Sequence, residues 1–234
     1  MGLLADITQE VEQIFRTKWE KRDGQQVPEA EDLKLGNEAV LLEGTVLYAD
    51  LAESTSLVMN RSNELAAEAY KTYLVCASRL IKDNGGVITA FDGDRVMGVF
   101  IGTTKNTSAA KTALQINYAV QKIINPKLKE VYTTTDFVLR QVVGIDTSKL
   151  FVARTGVRGA NDLVWVGRSA NLAAKLCALR EGVYTSFITK DVFDMLHESV
   201  KLGGNPKQSM WEERTWTAQN MTVYRSNWTW KPSD

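Results

Sequence analysis

The stretch GVITAFDGDRVMGVF, residues 86–100, decides the architecture. Two short runs rich in β-branched and aromatic residues flank Asp92-Gly93-Asp94, and an Asp-Gly dipeptide between such runs signals a tight antiparallel hairpin. Upstream, Asn84-Gly85-Gly86 stops a long helix that carries Leu65, Ala69, Tyr73, Cys76 and Leu80 on one face, with Ser54 and Thr55 as candidate caps before it. Further back, AVLLEGTVLYAD (39–50) reads as a strand ending on an acid. Downstream, the spacing predicts a helix over 106–124, which Pro126 helps to end. FVLRQVVGIDTSKLFVARTG (137–156) predicts a second strand pair turning at Asp146-Thr147-Ser148. DLVWVGRSANLAAKLCAL (162–179) passes from strand through Gly167 into a helix. YTSFIT, a short helix at 190–197 and β-rich segments near 209–217 and 221–230 close the chain. Helices interrupted by hairpins, in place of strict βαβα alternation, predict an α+β domain with a mostly antiparallel sheet flanked by helices.

Ahead of this domain, Leu3, Leu4, Ile7, Val11, Ile14 and Phe15 form the stripe of an amphipathic helix. The polar run KRDGQQVPEAEDLKLGNE then reads as a surface arm. This predicts an N-terminal helix and arm over residues 1–37 and a main domain over 38–234.

Among the 234 residues, Lys+Arg and Asp+Glu each number 28, so bulk charge does not favour nucleic acid or an anionic membrane. No apolar run approaches the roughly 20 residues that span a bilayer, and MGLLADITQEVEQIF lacks the basic start of a secretory signal. Cys76 and Cys177 lie too far apart for a metal-type spacing, and the single histidine, His197, leaves no multi-histidine zinc site. The expectation is a cytoplasmic, reduced protein that binds neither nucleic acid nor membrane.

Three constellations carry chemistry. Asp50 ends a strand in TVLYADLAEST, with the carbonyl of Leu51 beside it. Asp94 lies in the hairpin turn, with Asp92 close by. Two carboxylates converging from adjacent strands can bind Mg²⁺ or Mn²⁺, hard ions that take oxygen ligands and bridge phosphates. The third is WVGRSANLAAKL, where a glycine at a strand-to-helix turn leaves backbone N–H groups at a helix N-terminus. Asn171 and Lys175 share one face of that helix at i, i+4, and Arg168 adds a second cation one turn earlier. Taken singly, each has a plain reading: the acids as turn formers, the helix as a capped amphipathic element packing Leu172, Leu176 and Leu179. No GxxxxGK[ST] loop, GxGxxG fingerprint or GxSxG elbow is present.

Together and in this order, LYADLAEST, DGDRVMGVF and VGRSANLAAKL resemble the two metal motifs and the ribose/phosphate helix of class III nucleotidyl cyclases, over about residues 40–190. Within that family, GTVLYAD, ITAFDGDRVM, KNTSAAK and LVWVGRSAN resemble the short stand-alone pyrimidine cyclases of bacterial Pycsar anti-phage systems. The resemblance implies a homodimer with composite sites. In each, Asp50, Leu51 and Asp94 of one chain hold two divalent ions (Mn²⁺ or Mg²⁺), and Asn171 and Lys175 of the other contact ribose and phosphate. It implies cyclisation of UTP to 3′,5′-cyclic UMP and pyrophosphate, the product passing to a separate effector protein in antiviral defence. CTP is the near alternative, and adenylate or guanylate cyclisation or an inactive nucleotide-binding module stand further off.

The departures from the purine-cyclase pattern fall at the base pocket. Ala90 stands where a base-reading lysine is usual, and Trp165 (or Val164) where its acidic partner is usual. Neither side chain can pair with a purine edge. Tyr48, two residues before Asp50, can narrow the pocket toward a single ring. Lys175 replaces the family's usual arginine, and Arg168, Arg154 or Arg158 would supply the missing phosphate contacts.

Overall fold

The computed structural model describes residues 2–233. Helix α1 (Leu3–Arg16) leads into strand β1 (Glu20–Asp23), a 3₁₀ turn at Ala30–Asp32 and the long strand β2 (Glu38–Leu51). Next come α2 (Ser54–Asn60), α3 (Asn63–Asp83) and the hairpin β3 (Val87–Asp92) and β4 (Arg95–Phe100). Helix α4 (Lys105–Ala119) widens into a π turn at Val120–Ile124 and continues as α5 (Asn125–Val131). Strands β5 (Gln141–Val157) and β6 (Ala160–Val166) precede α6 (Arg168–Leu176), β7 (Ser186–Thr189), α7 (Lys190–Asp194) and α8 (Glu198–Lys201). The two-residue strands β8 (Leu202–Gly203) and β9 (Gln208–Ser209), then β10 (Glu212–Trp216) and β11 (Met221–Ser226), complete the chain.

These elements form two compact units. The first holds the residues up to Glu43 together with Lys149–Gly167. In it β1 pairs in parallel with the start of β2, and β6 pairs antiparallel with the end of β5. Asn37 ties down the end of α1, its Nδ2 donating to the carbonyls of Ile14 (2.8 Å) and Thr17 (2.7 Å). The apolar stripe of α1 is present as a helix face, yet none of its residues is buried.

The second unit, Gly44–Ser148 and the chain from Arg168 onward, contains the main core. Its strand order is β10-β11-β7-β5-β2-β4-β3. The pairings β2–β4, β3–β4, β7–β11 and β10–β11 are antiparallel and β5–β7 is parallel, so the sheet is mixed, with antiparallel pairings in the majority as expected. Helix α3 packs on this sheet through Leu65, Ala69, Tyr73, Ala77 and Ile81, a row at i+4 spacing. Ser62 caps it, accepting from the Leu65 amide at 3.3 Å. Ser54 and Thr55 do not serve that helix; they lie inside the separate short helix α2.

The structure corrects one expectation about topology. Residues 141–157 form a single strand, and Asp146-Thr147-Ser148 is no turn. Asp146 has no exposed surface and accepts from Thr189 Oγ1 at 2.6 Å and from Arg168 Nε at 3.1 Å. Thr147 accepts from Thr45 Oγ1 at 3.1 Å. Polar residues that look like turn formers are here satisfied inside the sheet by partners more than 20 residues away, which is why the strand runs through them.

Candidate active site

Strand β2 is buried almost continuously from Gly44 to Leu51, as expected for a central strand covered on both faces, and it delivers Asp50 at its end. The antiparallel register with β4 sets Asp50 opposite Arg95, and the β3–β4 register sets Asp92 opposite the same residue. Gly93 takes a left-handed φ of 59°, which closes the two-residue turn and leaves Asp94 next to Arg95 at the head of β4. Two carboxylates far apart in sequence therefore lie at one end of two neighbouring strands, near enough for the charge of Asp94 to act on Asp50.

The oxygens of this cluster are unequally occupied. Arg95 Nε donates to Asp50 Oδ1 at 3.3 Å. Arg180 Nη2 donates to Asp50 Oδ2 and to the Leu51 carbonyl, each at 3.4 Å. Asp94 Oδ2 is buried with no hydrogen-bond partner. Burial pushes the Asp50 carboxyl above its ordinary value; the charge of Asp94 adds to the rise, while Arg95 and Arg180 oppose it. Tyr73 is fully buried, its hydroxyl without a partner; burial first, then the charges of Asp50 and Asp94, hold its pKa well above the usual phenol range. Burial, joined by the Asp50 charge, raises the Cys177 thiol to about 12, so this cysteine is a neutral neighbour and no nucleophile.

Two carboxylates, a backbone carbonyl and one orphaned oxygen fit a hard divalent cation. Among the described residues no cluster of three or more His, Cys, Asp or Glu side chains is arranged to hold a metal alone. An ion here would complete its shell with substrate phosphate oxygens, as Mg²⁺ commonly does.

Tyr48 lies half-buried on β2, two residues before Asp50, with the Arg95 guanidinium 5.9 Å from its ring centre. Burial raises its pKa, partly offset by Arg95. Ala90, on β3, pairs with Met97 and offers no polar group at its side chain. Asn171 and Lys175 are exposed on α6, and neither makes a hydrogen bond or ion pair among the described residues. The inner face of the same helix buries Leu172, Ala173 and Leu176.

Arg168 does not join this group. Its guanidinium is committed to Asp146 (3.1 and 3.2 Å), the Thr147 carbonyl (2.9 Å) and Asp191, a network that ties the start of α6 to β5 and α7. Arg154, Arg158 and Trp165 belong to the other unit. There Arg154 is held by Asn161 (2.7 Å) and the Leu33 carbonyl (3.1 Å), Arg158 is exposed in the β5–β6 turn, and the Trp165 indole N–H is buried without a partner.

Sequence reasoning missed Arg95 and Arg180. Arg95 had a signal: it follows Asp94 directly in an Asp-Gly hairpin, so a strand paired with β4 must face it. Arg180 had none, because nothing local links it to a strand end 130 residues earlier.

No family model matches the sequence. Three relatives match over nearly their whole length. The uridylate cyclase of Xanthomonas perforans is 52% identical, covering 99% of this chain and 99% of its own. That of Burkholderia cepacia is 48% identical, covering 98% and 99%. That of Rhodovulum sp. (strain MB263) is 42% identical, covering 99% of each. Among solved structures, the guanylyl cyclase Cya2 superposes with a TM-score of 0.67 at 17% identity, over 83% of this chain and 96% of that one. The adenylyl cyclase CyaB from P. aeruginosa gives 0.64 at 21%, over 81% and 95%. Those two likenesses establish the nucleotidyl cyclase fold. With full-length relatives at up to 52% identity, the chain belongs to the uridylate cyclase family.

Proposed function

We propose that this protein converts UTP to 3′,5′-cyclic UMP and pyrophosphate, in a catalytic domain spanning residues 38–234 that works as a homodimer. The observation that carries the reading is the meeting of Asp50, the Leu51 carbonyl and the unpartnered Asp94 oxygen at the ends of paired strands. The full-length likeness to proteins named uridylate cyclase supports the choice of substrate.

Asp50, Leu51 and Asp94 would hold two divalent ions, Mn²⁺ or Mg²⁺. Bound there, such ions lower the pKa of the ribose 3′-OH and neutralise charge on the β- and γ-phosphates. The chain's own residues supply placement. Asn171 orients the ribose, Lys175 meets charge around the α-phosphate, and the two act from the exposed face of α6 on the partner's substrate. Their lack of partners among the described residues supports that assignment. Since nucleophile and electrophile belong to one substrate, holding the ribose and the α-phosphorus in line removes most of the entropic barrier. Tyr48 closes the base pocket beside the cluster, and Ala90 offers no hydrogen bond to a purine edge. Arg168 supports α6 from below through Asp146; contact with substrate is left to Lys175.

The cyclic product would act as a messenger to a separate effector in antiviral defence, and the protein would work in the cytoplasm. In keeping with that, no helix among the described residues is long and apolar enough to cross a membrane.

The test is incubation with ATP, GTP, CTP and UTP separately in Mn²⁺, with cyclic products resolved by mass. Cyclic UMP should dominate. A larger yield from CTP moves the assignment to the cytidylate reaction, and absence of any cyclic product refutes the enzyme.

A further inference from the structure

We propose that Arg180 is an exchangeable counter-ion of the metal site: its guanidinium lies against oxygens that would receive the ion, and it gives way when the ion enters. The inference rests on the reading of Asp50, Leu51 and Asp94 as metal ligands.

One atom carries the argument. Arg180 Nη2 lies 3.4 Å from Asp50 Oδ2 and 3.4 Å from the Leu51 carbonyl oxygen, so a single positive nitrogen sits on two of the three oxygen donors. A monovalent organic cation there does electrostatically what a metal would do, and the two cannot share the position. The contacts are long ones, at the outer limit of hydrogen bonding, and so are weak. The other terminal nitrogen of the same side chain is held more tightly: Nη1 donates to the carbonyls of Cys177 and Leu179, each at 2.9 Å. Those carbonyls follow the last turn of α6, where arginine is a common C-terminal cap. Release of Nη2 therefore needs only a swing about a retained anchor. The side chain is 40% exposed, so the freed guanidinium is rehydrated.

Arg95 behaves differently. It is fixed by register on β4, directly opposite Asp50, and a change of side-chain torsion cannot carry its backbone away. Nor does Arg180 saturate the cluster, because Asp94 Oδ2 keeps no partner while the arginine is in place. An acceptor that the resident cation leaves unmet, beside donors it meets loosely, is a site poised for exchange toward a smaller and more highly charged ion.

The test is Mn²⁺ binding without nucleotide, read from the electron paramagnetic resonance signal of free Mn²⁺, for the natural chain, Arg180→Gln and Asp50→Asn. Glutamine keeps an amide that can reach the Cys177 and Leu179 carbonyls but removes the competing charge. Arg180→Gln should bind Mn²⁺ roughly fivefold more tightly, about 1 kcal/mol for a half-exposed pair, while Asp50→Asn should lose the ion. Should Arg180→Gln prove misfolded by its melting curve, Arg180→Lys serves instead. Its single ammonium cannot both cap the helix and bridge the two oxygens, so it too should bind more tightly than the natural chain. Unchanged or weaker binding in the folded Arg180 variant, with Asp50→Asn silent, overturns the exchange and leaves the metal reading standing. Mn²⁺ binding by Asp50→Asn at natural strength, or by none of the variants or the natural chain, overturns both.

Discussion

Gly144→Ala tests whether helix α6 positions catalytic groups. Gly144 lies on β5 where α6 crosses at backbone distance. A Cβ placed there would sit 2.2 Å from the Ala173 carbonyl oxygen, 2.4 Å from the Cys177 amide nitrogen and 2.7 Å from Leu176 Cβ. Two of these neighbours are main-chain atoms, which no rotamer change can remove. Restoring an ordinary 3.4 Å contact to the carbonyl requires α6 to retreat by about 1.2 Å, and Asn171 and Lys175 ride on that helix. A misplacement of about 1 Å in a positioning group can cost roughly a hundredfold in rate. Overpacking of this kind also costs about 1–3 kcal/mol of stability, some 2–4 °C per kcal/mol in a chain of this size. The expected variant is folded, melts several degrees lower and forms cyclic UMP about a hundred times more slowly at saturating UTP and Mn²⁺. The assay pairs mass-resolved product formation with a melting curve. A variant with a natural turnover rate, whatever its melting temperature, would refute the claim that α6 carries residues whose placement limits the reaction.

Mixing Asp50→Ala and Asn171→Ala protomers in equal amounts should restore about a quarter of natural activity, because half the dimers are mixed and each has one intact composite site; inactivity despite demonstrated subunit exchange would contradict shared sites. Tyr73→Phe removes a buried hydroxyl that has no hydrogen-bond partner and should leave urea-unfolding stability unchanged or raise it by about 1 kcal/mol. A loss of that size would mean that the hydroxyl is hydrogen-bonded. Because burial raises the Asp50 carboxyl, its protonated form favours folding below the ordinary carboxylate range, and that contribution disappears as pH rises through the raised value. Mn²⁺ needs the ionised form, so titration calorimetry should show its affinity falling at a pH above that at which an ordinary aspartate protonates; a constant affinity down to the ordinary aspartate pKa would refute the upward shift.

The parts of the molecule legible in sequence were those governed by local rules. The Asp-Gly hairpin at 92–94, the i+4 row of α3 and the strand-to-helix passage at Gly167 depend on neighbours within one turn or one strand, and each stands in the structure. What failed was polar patterning whose partners are remote. Asp146-Thr147-Ser148 has turn composition, yet Arg168, Thr189 and Thr45 turn it into strand interior. The same network engages Arg168: a cation one turn before Asn171 looks free until a fully buried carboxylate is found beneath it. Asp50 and Asp94 were visible as acids at a strand end and in a turn. Their meeting depends on the β2–β4 register, which no local pattern specifies.

The charge inventory of the cluster extends that point to binding. Arg95 and Arg180 both pair with Asp50, and Asp92 and Asp94 flank Arg95, so the cluster holds charge of both signs. A nucleoside triphosphate arriving alone would bring about four negative charges next to two carboxylates, and divalent ions arriving alone would bring a similar positive charge next to two guanidinium groups. Each is opposed by what is already there, and the two together cancel. If Asp50 and Asp94 are metal ligands, ions and triphosphate must therefore bind with strong mutual dependence, each tightening the other by the same factor. In the proposed composite site, Lys175 of the second protomer would add its charge only once dimer and substrate are both in place.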